Sequence, residues 1–265
     1  MTRNYYFQKI SRSRIATFDI FSIGLLRHHV YALLELDVTD SRVKIRALKR
    51  NGTIISFNAW IIKVISNALE QHPEAAAYLY NKKKLIIYNH INISVIVEKE
   101  INDKRVPIPL VIEKTDEKSV SEITQEIENA KNQILSEKDI VLNQRSRAFE
   151  RFYYLLPGVL RRMIWRFILN HPKIAYRNMG NAVITSVGMI GRINGWFITK
   201  SVHPVSFGIG SVIKKPIVIN DEIKIREILN MTVLLDHDVI DGAPMVRFIK
   251  DLTKYFEKGD QLTDS

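Results

Sequence analysis

The sequence predicts an α+β fold, a mixed sheet flanked by helices, in a single domain over residues 1–265. Three observations carry this. Runs with helical spacing and runs with strand alternation succeed one another without the βαβ regularity of a doubly wound parallel sheet. No internal repeat or low-complexity linker divides the chain. Apolar residues make up 46% and charged residues 25% of the 265 positions, a globular composition long enough to bury a sizeable core.

The elements follow in order. Ser11 to Arg27 reads as a helix, and Val30 to Val38 alternates as a strand. Thr39 can cap the next helix. Ser56 to His72 is strongly amphipathic and stops at Pro73. Leu85 to Tyr88, Ile91 to Val97 and Val106 to Ile112 read as strands, and Pro107 and Pro109 place the last at an edge or a bulge. Ser119 to Gln133 is an amphipathic helix. Ala182 to Val187 is a strand ended by Gly188 and Gly191. Strands follow at Val205 to Val212, Pro216 to Ile219 and Met231 to Leu235. The helix from Pro244 to Phe256 carries Met245, Phe248, Ile249, Leu252 and Phe256 at helical spacing.

Composition bounds the chemistry. The absence of cysteine excludes disulfides, thiolate metal sites and a cysteine nucleophile. The histidines share no ligand spacing, so no metal is expected. The first residues lack the apolar core of a signal peptide, and no window reaches the roughly 20 apolar residues of a membrane span, so a cytoplasmic protein is expected. The net charge of +11 points to an anionic partner: nucleic acid, a membrane surface or a phosphorylated small molecule. Between Arg145 and Arg177 seven arginines and Lys173 face only Glu150. No nucleic-acid motif accompanies that charge, which argues against nucleic acid.

The stretch Asp236-His237-Asp238-Val239-Ile240-Asp241-Gly242 follows the apolar run that starts at Met231. Imidazole is the usual general base near neutral pH, its ordinary pKa lying near 6.5. The acid four residues on can hold the turn, and the glycine tolerates backbone angles barred to other residues. This H-x-x-x-D-G pattern resembles the active-site motif of the coenzyme A-dependent acyltransferases, which include chloramphenicol acetyltransferase and the catalytic domain of dihydrolipoamide acyltransferases. The likeness extends over most of the chain. Residues 11–15 are similar to the family's first helix, 28–39 to its first strand without the proline before the second histidine, and 180–191 to the glycine-flanked strand bearing its oxyanion-stabilising serine. That position is Thr185, 52 residues before His237 (237 − 185).

The resemblance implies a chloramphenicol acetyltransferase-like fold, with His237 as general base and Thr185 as oxyanion donor. Asp241, paired with an arginine, and Gly242 would shape the loop; Arg14 is the candidate partner, with Arg12 close by. It also implies acyl-coenzyme A as substrate, an acceptor the sequence leaves unknown, no metal, and a site built between subunits of a homotrimer. No residue is assigned to coenzyme A binding. No lipoyl domain or lipoyl attachment lysine is expected in this chain. Asp238 stands where the dihydrolipoamide family has arginine, and a carboxylate beside the base would favour its protonated form. The threonine methyl group and Asp238 keep a second reading open, a non-catalytic scaffold or assembly protein of the same fold. Residues 136–179 form a basic amphipathic insertion divided by Pro157. It would pack on the domain or a neighbouring subunit, cover an acyl pocket, or, through residues 145–177, rest on a membrane surface.

Overall fold

In the computed structural model the described residues are 4–8, 10, 12–24, 27–101, 104–132, 152–187, 191 and 193–262. Ser11, Gly188, and the expected insertion before residue 152 lie outside them. Helix α1 (Arg12–Gly24) leads into strand β1 (His29–Asp37), then α2 (Thr39–Arg50) and α3 (Phe57–Gln71). A 3-10 turn (Pro73–Ala76) precedes the small hairpin β2 (Tyr78–Tyr80) and β3 (Lys84–Ile86). Strands β4 (Ile93–Ile101) and β5 (Lys104–Ile112), helices α4 (Val120–Asn132), α5 (Gly158–Asn170) and α6 (Pro172–Met179), and strand β6 (Ala182–Ser186) follow. The long hairpin β7 (Val205–Ile219) and β8 (Glu222–Asp236) leads to the closing helix α7 (Gly242–Lys258).

Local chemistry accounts for the element ends. Ser56 caps α3, its Oγ accepting from the Ala59 amide at 3.1 Å. Ser119 and Glu122 form a reciprocal capping box at α4: the Glu122 amide donates to Ser119 Oγ, and Glu122 Oε2 accepts from the Ser119 amide. Thr39 does not cap α2 as expected. Its hydroxyl is spent on Asp37 and on the Glu227 amide, which ties the helix start to the hairpin instead.

The main sheet has the order β1-β8-β7-β6-β4-β5, antiparallel except for the parallel pairs β4–β6 and β6–β7. Strand β5, with Pro107 and Pro109, lies at an edge, where a missing amide hydrogen costs least. The hairpin is longer than its periodicity indicated. What reads as separate strands around Pro216 is one strand, because β7 and β8 run on past β1 and β6 as a two-stranded arm with free outer edges. Asn220 and Asp221 turn its tip with φ of 51° and 63°, the left-handed pair of a tight hairpin.

One face of the sheet packs on α2, α3, α4 and α7. Ile184, Phe207, Ile209, Met231 and Val233 point there and join Trp60, Phe248 and Phe256 in the main core. Strand alternation sends the intervening residues, among them Thr185, Ser206, Gly208 and Thr232, to the other face. Part of that face is covered by residues 193–200. Trp196 Nε1 donates to the Leu34 carbonyl at 2.9 Å, and Asn230 Nδ2 donates to the Gly195 carbonyl. Gly208 admits this cover: a Cβ there would sit 2.6 Å from the Phe197 oxygen.

Gly180, which delivers the chain into β6, holds φ 72° and ψ −172°, a region only glycine occupies at low cost. A Cβ at this position would lie 2.3 Å from the Asn92 oxygen, the acceptor that anchors the amides of Asn181 and Ala182. Gly180→Ala should therefore lower the unfolding free energy by about 3 kcal/mol or more, measured by urea denaturation.

Candidate active site

Strand β8 ends at Asp236, and residues 237–239 turn the chain toward α7. Residues 27–28, Pro204 and bonds within the turn itself hold it. The Asp236 carboxylate, 1% exposed, accepts from Arg27 Nη1 at 2.5 Å and from the Asp238 amide at 3.2 Å. The Asp236 carbonyl accepts from the amides of Val239 and Ile240, and its own amide donates to the Pro204 carbonyl. The His237 amide donates to the His28 carbonyl at 2.9 Å. His237 itself is exposed, so its imidazole is presented to solvent on a pinned backbone.

Behind the turn His203 is buried. Its Nε2 donates to the Met179 carbonyl at 3.0 Å, Ser201 Oγ lies 3.2 Å from its Nδ1, and its own carbonyl accepts from His29 Nε2. Burial pushes its pKa down to about 4, so the ring is neutral at physiological pH.

Several expected roles shift. The loop-shaping arginine pair is Arg27 with Asp236, not Arg14 with Asp241. Arg14 is exposed with its guanidinium 5.8 Å over the Phe18 ring, because α1 turns its inner face to α5. Asp241 is the N-cap residue of α7, exposed and without a side-chain cap bond. Of the three acids at the turn, Asp236 is the buried one. Gly242 is the first residue of α7 with no left-handed backbone, and a Cβ there would meet nothing within 4 Å, so nothing in this chain demands glycine. The Asp238 carboxylate lies 3.1 Å from His28 Nδ1, which makes His28 its partner. Arg27 and His203 are missed from sequence. The one usable signal for Arg27 is its place just before β1, whose register sets His29 opposite Asp236.

Thr185 lies in β6, half-buried, and its hydroxyl has no hydrogen-bond partner among the described residues, which leaves it free to donate. It stands opposite Gly208, and Gly208 opposite Thr232. His237 is five residues beyond Thr232, about 17 Å along the strand direction, and two strand spacings add about 10 Å across. Thr185 and His237 of one chain are thus roughly 20 Å apart, against the roughly 3 Å a shared reacting group requires.

No ligand spacing suggested a metal, yet the fold gathers ligand atoms of His90, Asp116 and Glu117 within 4.8 Å of one another. These atoms already serve one another. Asp116 Oδ1 accepts from the Ile91 amide and Oδ2 lies 3.0 Å from His90 Nδ1, while Lys114 pairs with Glu117. The trio is a hydrogen-bonded brace between the loops flanking β4 and β5.

A mixed six-stranded sheet backed by helices on one face is a fold shared with chloramphenicol acetyltransferase. That protein superposes with a TM-score of 0.53 at 13% identity, over 97% of this chain and 100% of the other. A probable dihydrolipoamide acetyltransferase from Listeria monocytogenes superposes with a TM-score of 0.69 at 21% identity, covering 99% and 98% of the two chains. The dihydrolipoamide acetyltransferase of Azotobacter vinelandii gives 0.66 at 16% identity, over 97% and 94%. The chain belongs to the 2-oxoacid dehydrogenases acyltransferase (catalytic domain) family, whose model matches residues 25–140 and 173–263.

Among curated relatives, the lipoamide acyltransferase component of the Bacillus subtilis branched-chain alpha-keto acid dehydrogenase complex is 23% identical over 89% of this chain and 48% of its own length. The dihydrolipoyllysine-residue acetyltransferase component of the Rickettsia conorii pyruvate dehydrogenase complex is 28% identical over 86% and 48%. The chain spans about half the length of these relatives. The unmatched residues 141–172 fall inside the expected 136–179 insertion.

Two outcomes follow from the turn. Arg27→Met strands a buried carboxylate and should cost roughly 3 to 5 kcal/mol in urea denaturation, while Arg27→Met combined with Asp236→Leu should cost less than the single change. His203 titrates below its unfolded value of 6.5, so the unfolded chain takes up the proton first as pH falls. Its stabilising contribution is whole above pH 6.5 and is lost progressively toward pH 4, by roughly 3 kcal/mol in all. Urea titrations at several pH values should show that slope, and His203→Gln should flatten it.

Proposed function

We propose that the chain is a cytoplasmic, coenzyme A-dependent acyltransferase, one catalytic domain working as a homotrimer with its sites between subunits. The observation that carries this reading is the pairing of an exposed His237 on a rigid turn with a partner-free Thr185 hydroxyl too far away to meet it in the same chain. A second copy closes that gap. On the face that bears Thr185, Tyr31 and Leu33 are 51% and 49% exposed, an apolar strip suited to a neighbouring subunit. In the Azotobacter vinelandii enzyme, a serine, a histidine and an asparagine under study for its catalytic mechanism are spaced along the chain as Thr185, His237 and Asp241 are here.

In this reaction the imidazole of His237 takes the proton of an acceptor thiol, hydroxyl or amine as the acceptor attacks the thioester carbonyl of acyl-coenzyme A. The tetrahedral oxyanion accepts a hydrogen bond from the Thr185 hydroxyl of the neighbouring copy. The carbon–sulfur bond then breaks, and the coenzyme A thiolate recovers the proton from the imidazolium. The acyl group moves directly, without an acyl-enzyme.

His237→Ala should reduce acyl transfer by about 100- to 10,000-fold with the fold intact. Thr185→Ala should reduce it by about 100- to 1,000-fold, and Thr185→Ser should retain it. Co-expressing the two alanine variants provides the decisive assay. Over all the trimers formed, activity should return at about a quarter of the sites, because one of the three interfaces in each mixed trimer combines an intact His237 with an intact Thr185. No recovery would place the chemistry within one chain, unchanged turnover in His237→Ala would remove that histidine from the reaction, and absence of acyl transfer by the unaltered chain would favour the scaffold reading.

A further inference from the structure

The residues outside the family match pack on one another. Helix α1 precedes residue 25, and α5 lies before residue 173. Together they build a second small core around Ala16, Tyr153 and Trp165. Asp19, 4% exposed, binds Arg161 Nε at 2.6 Å and the Tyr153 hydroxyl at 3.0 Å, locking the two helices. The inner face of α5 is thereby used. Its outer face is not. Val159, Met163 and Phe167, spaced by four residues along one line of the helix, are 61%, 60% and 56% exposed. Arg162 and Arg166 form the adjacent line, also exposed. Neither they nor Lys173 and Arg177 of α6 have an ion-pair partner among the described residues. From residue 151 to residue 220 the sequence contains no aspartate or glutamate.

We propose that this outer face of α5 docks on an anionic lipid surface, with Val159, Met163 and Phe167 among the acyl chains and Arg162 and Arg166 at the headgroup phosphates. The charge is of one sign, as such a surface requires, and interfacial helices carry this division of basic and apolar faces. The face is convex and small. A helix of 13 residues is about 20 Å long and presents on the order of 200 Å², well short of the roughly 800 Å² per partner in a stable protein interface. A fluid surface accepts such a ridge without a matching groove. Among the described residues no helix is long and apolar enough to cross a membrane, so the contact is peripheral.

The test is cosedimentation of the full chain with vesicles of phosphatidylcholine alone or with roughly a third phosphatidylglycerol. The protein should pellet with the anionic vesicles and bind neutral ones at least about tenfold more weakly. Arg162→Glu with Arg166→Glu should weaken anionic binding about tenfold or more, and Met163→Ser with Phe167→Ser should weaken it comparably. Arg247→Glu with Lys250→Glu, an equal charge change on exposed positions of α7, should leave it intact. Every changed side chain is exposed, and a thermal melt by circular dichroism confirms folding. Failure to pellet with anionic vesicles, equal binding to neutral ones, or full retention by the Arg162 and Arg166 variant would overturn the proposal. So would sedimentation equilibrium in which Met163→Ser with Phe167→Ser splits an oligomer while vesicle binding persists, since the face would then be a contact between copies.

Discussion

A carboxylate at the end of a central strand is an expensive thing to bury, and the chain around the reactive turn is arranged to make Asp236 tolerable. Arg27 neutralises it, and the Asp238 amide occupies its second oxygen. The pair does more than cancel a charge. It ties the residues entering β1 to the residues leaving β8, so the two strands are clamped at the end from which His237 projects. The Pro204 and His28 carbonyls complete the clamp. The turn is held by backbone contacts from two segments and by the Arg27 side chain, and the imidazole is left exposed.

The same sheet that holds His237 steady keeps it from Thr185. Strand spacing and rise are fixed by hydrogen-bond geometry, so two residues separated by two strands and five residues cannot approach one another by side-chain movement. That separation is the reason the proposed site is shared between copies.

Beside that scaffold lies a second small layer. Helices α1 and α5 meet over a buried ion pair of the same kind as the one at the turn, Asp19 with Arg161. Gly24, at the end of α1, comes close enough to the 201–202 loop that a Cβ would meet Val202 at 2.7 Å. This second layer therefore touches the loop that carries His203.

The sequence by itself determined the fold class, the order of the elements, the amphipathic faces of α3, α4 and α7, the confinement of β5 to an edge or a bulge, and the likeness that singles out His237 and Thr185. Each of these depends on residues close in the chain: hydrophobic period, caps, prolines, and a motif of seven positions. Only the tertiary structure decided which acid at the turn is buried, which arginine reaches it, and which histidine Asp238 engages. Arg27 and Asp236 are 209 positions apart, and their meeting depends on the register of β1 against β8. The long arm was hidden for a related reason, since Pro216 breaks a strand in a sheet interior but not where the strand has no outer neighbour. That one chain separates its histidine from its hydroxyl by roughly 20 Å is likewise a matter of strand order, because sequence distance is silent on which strands lie between two residues.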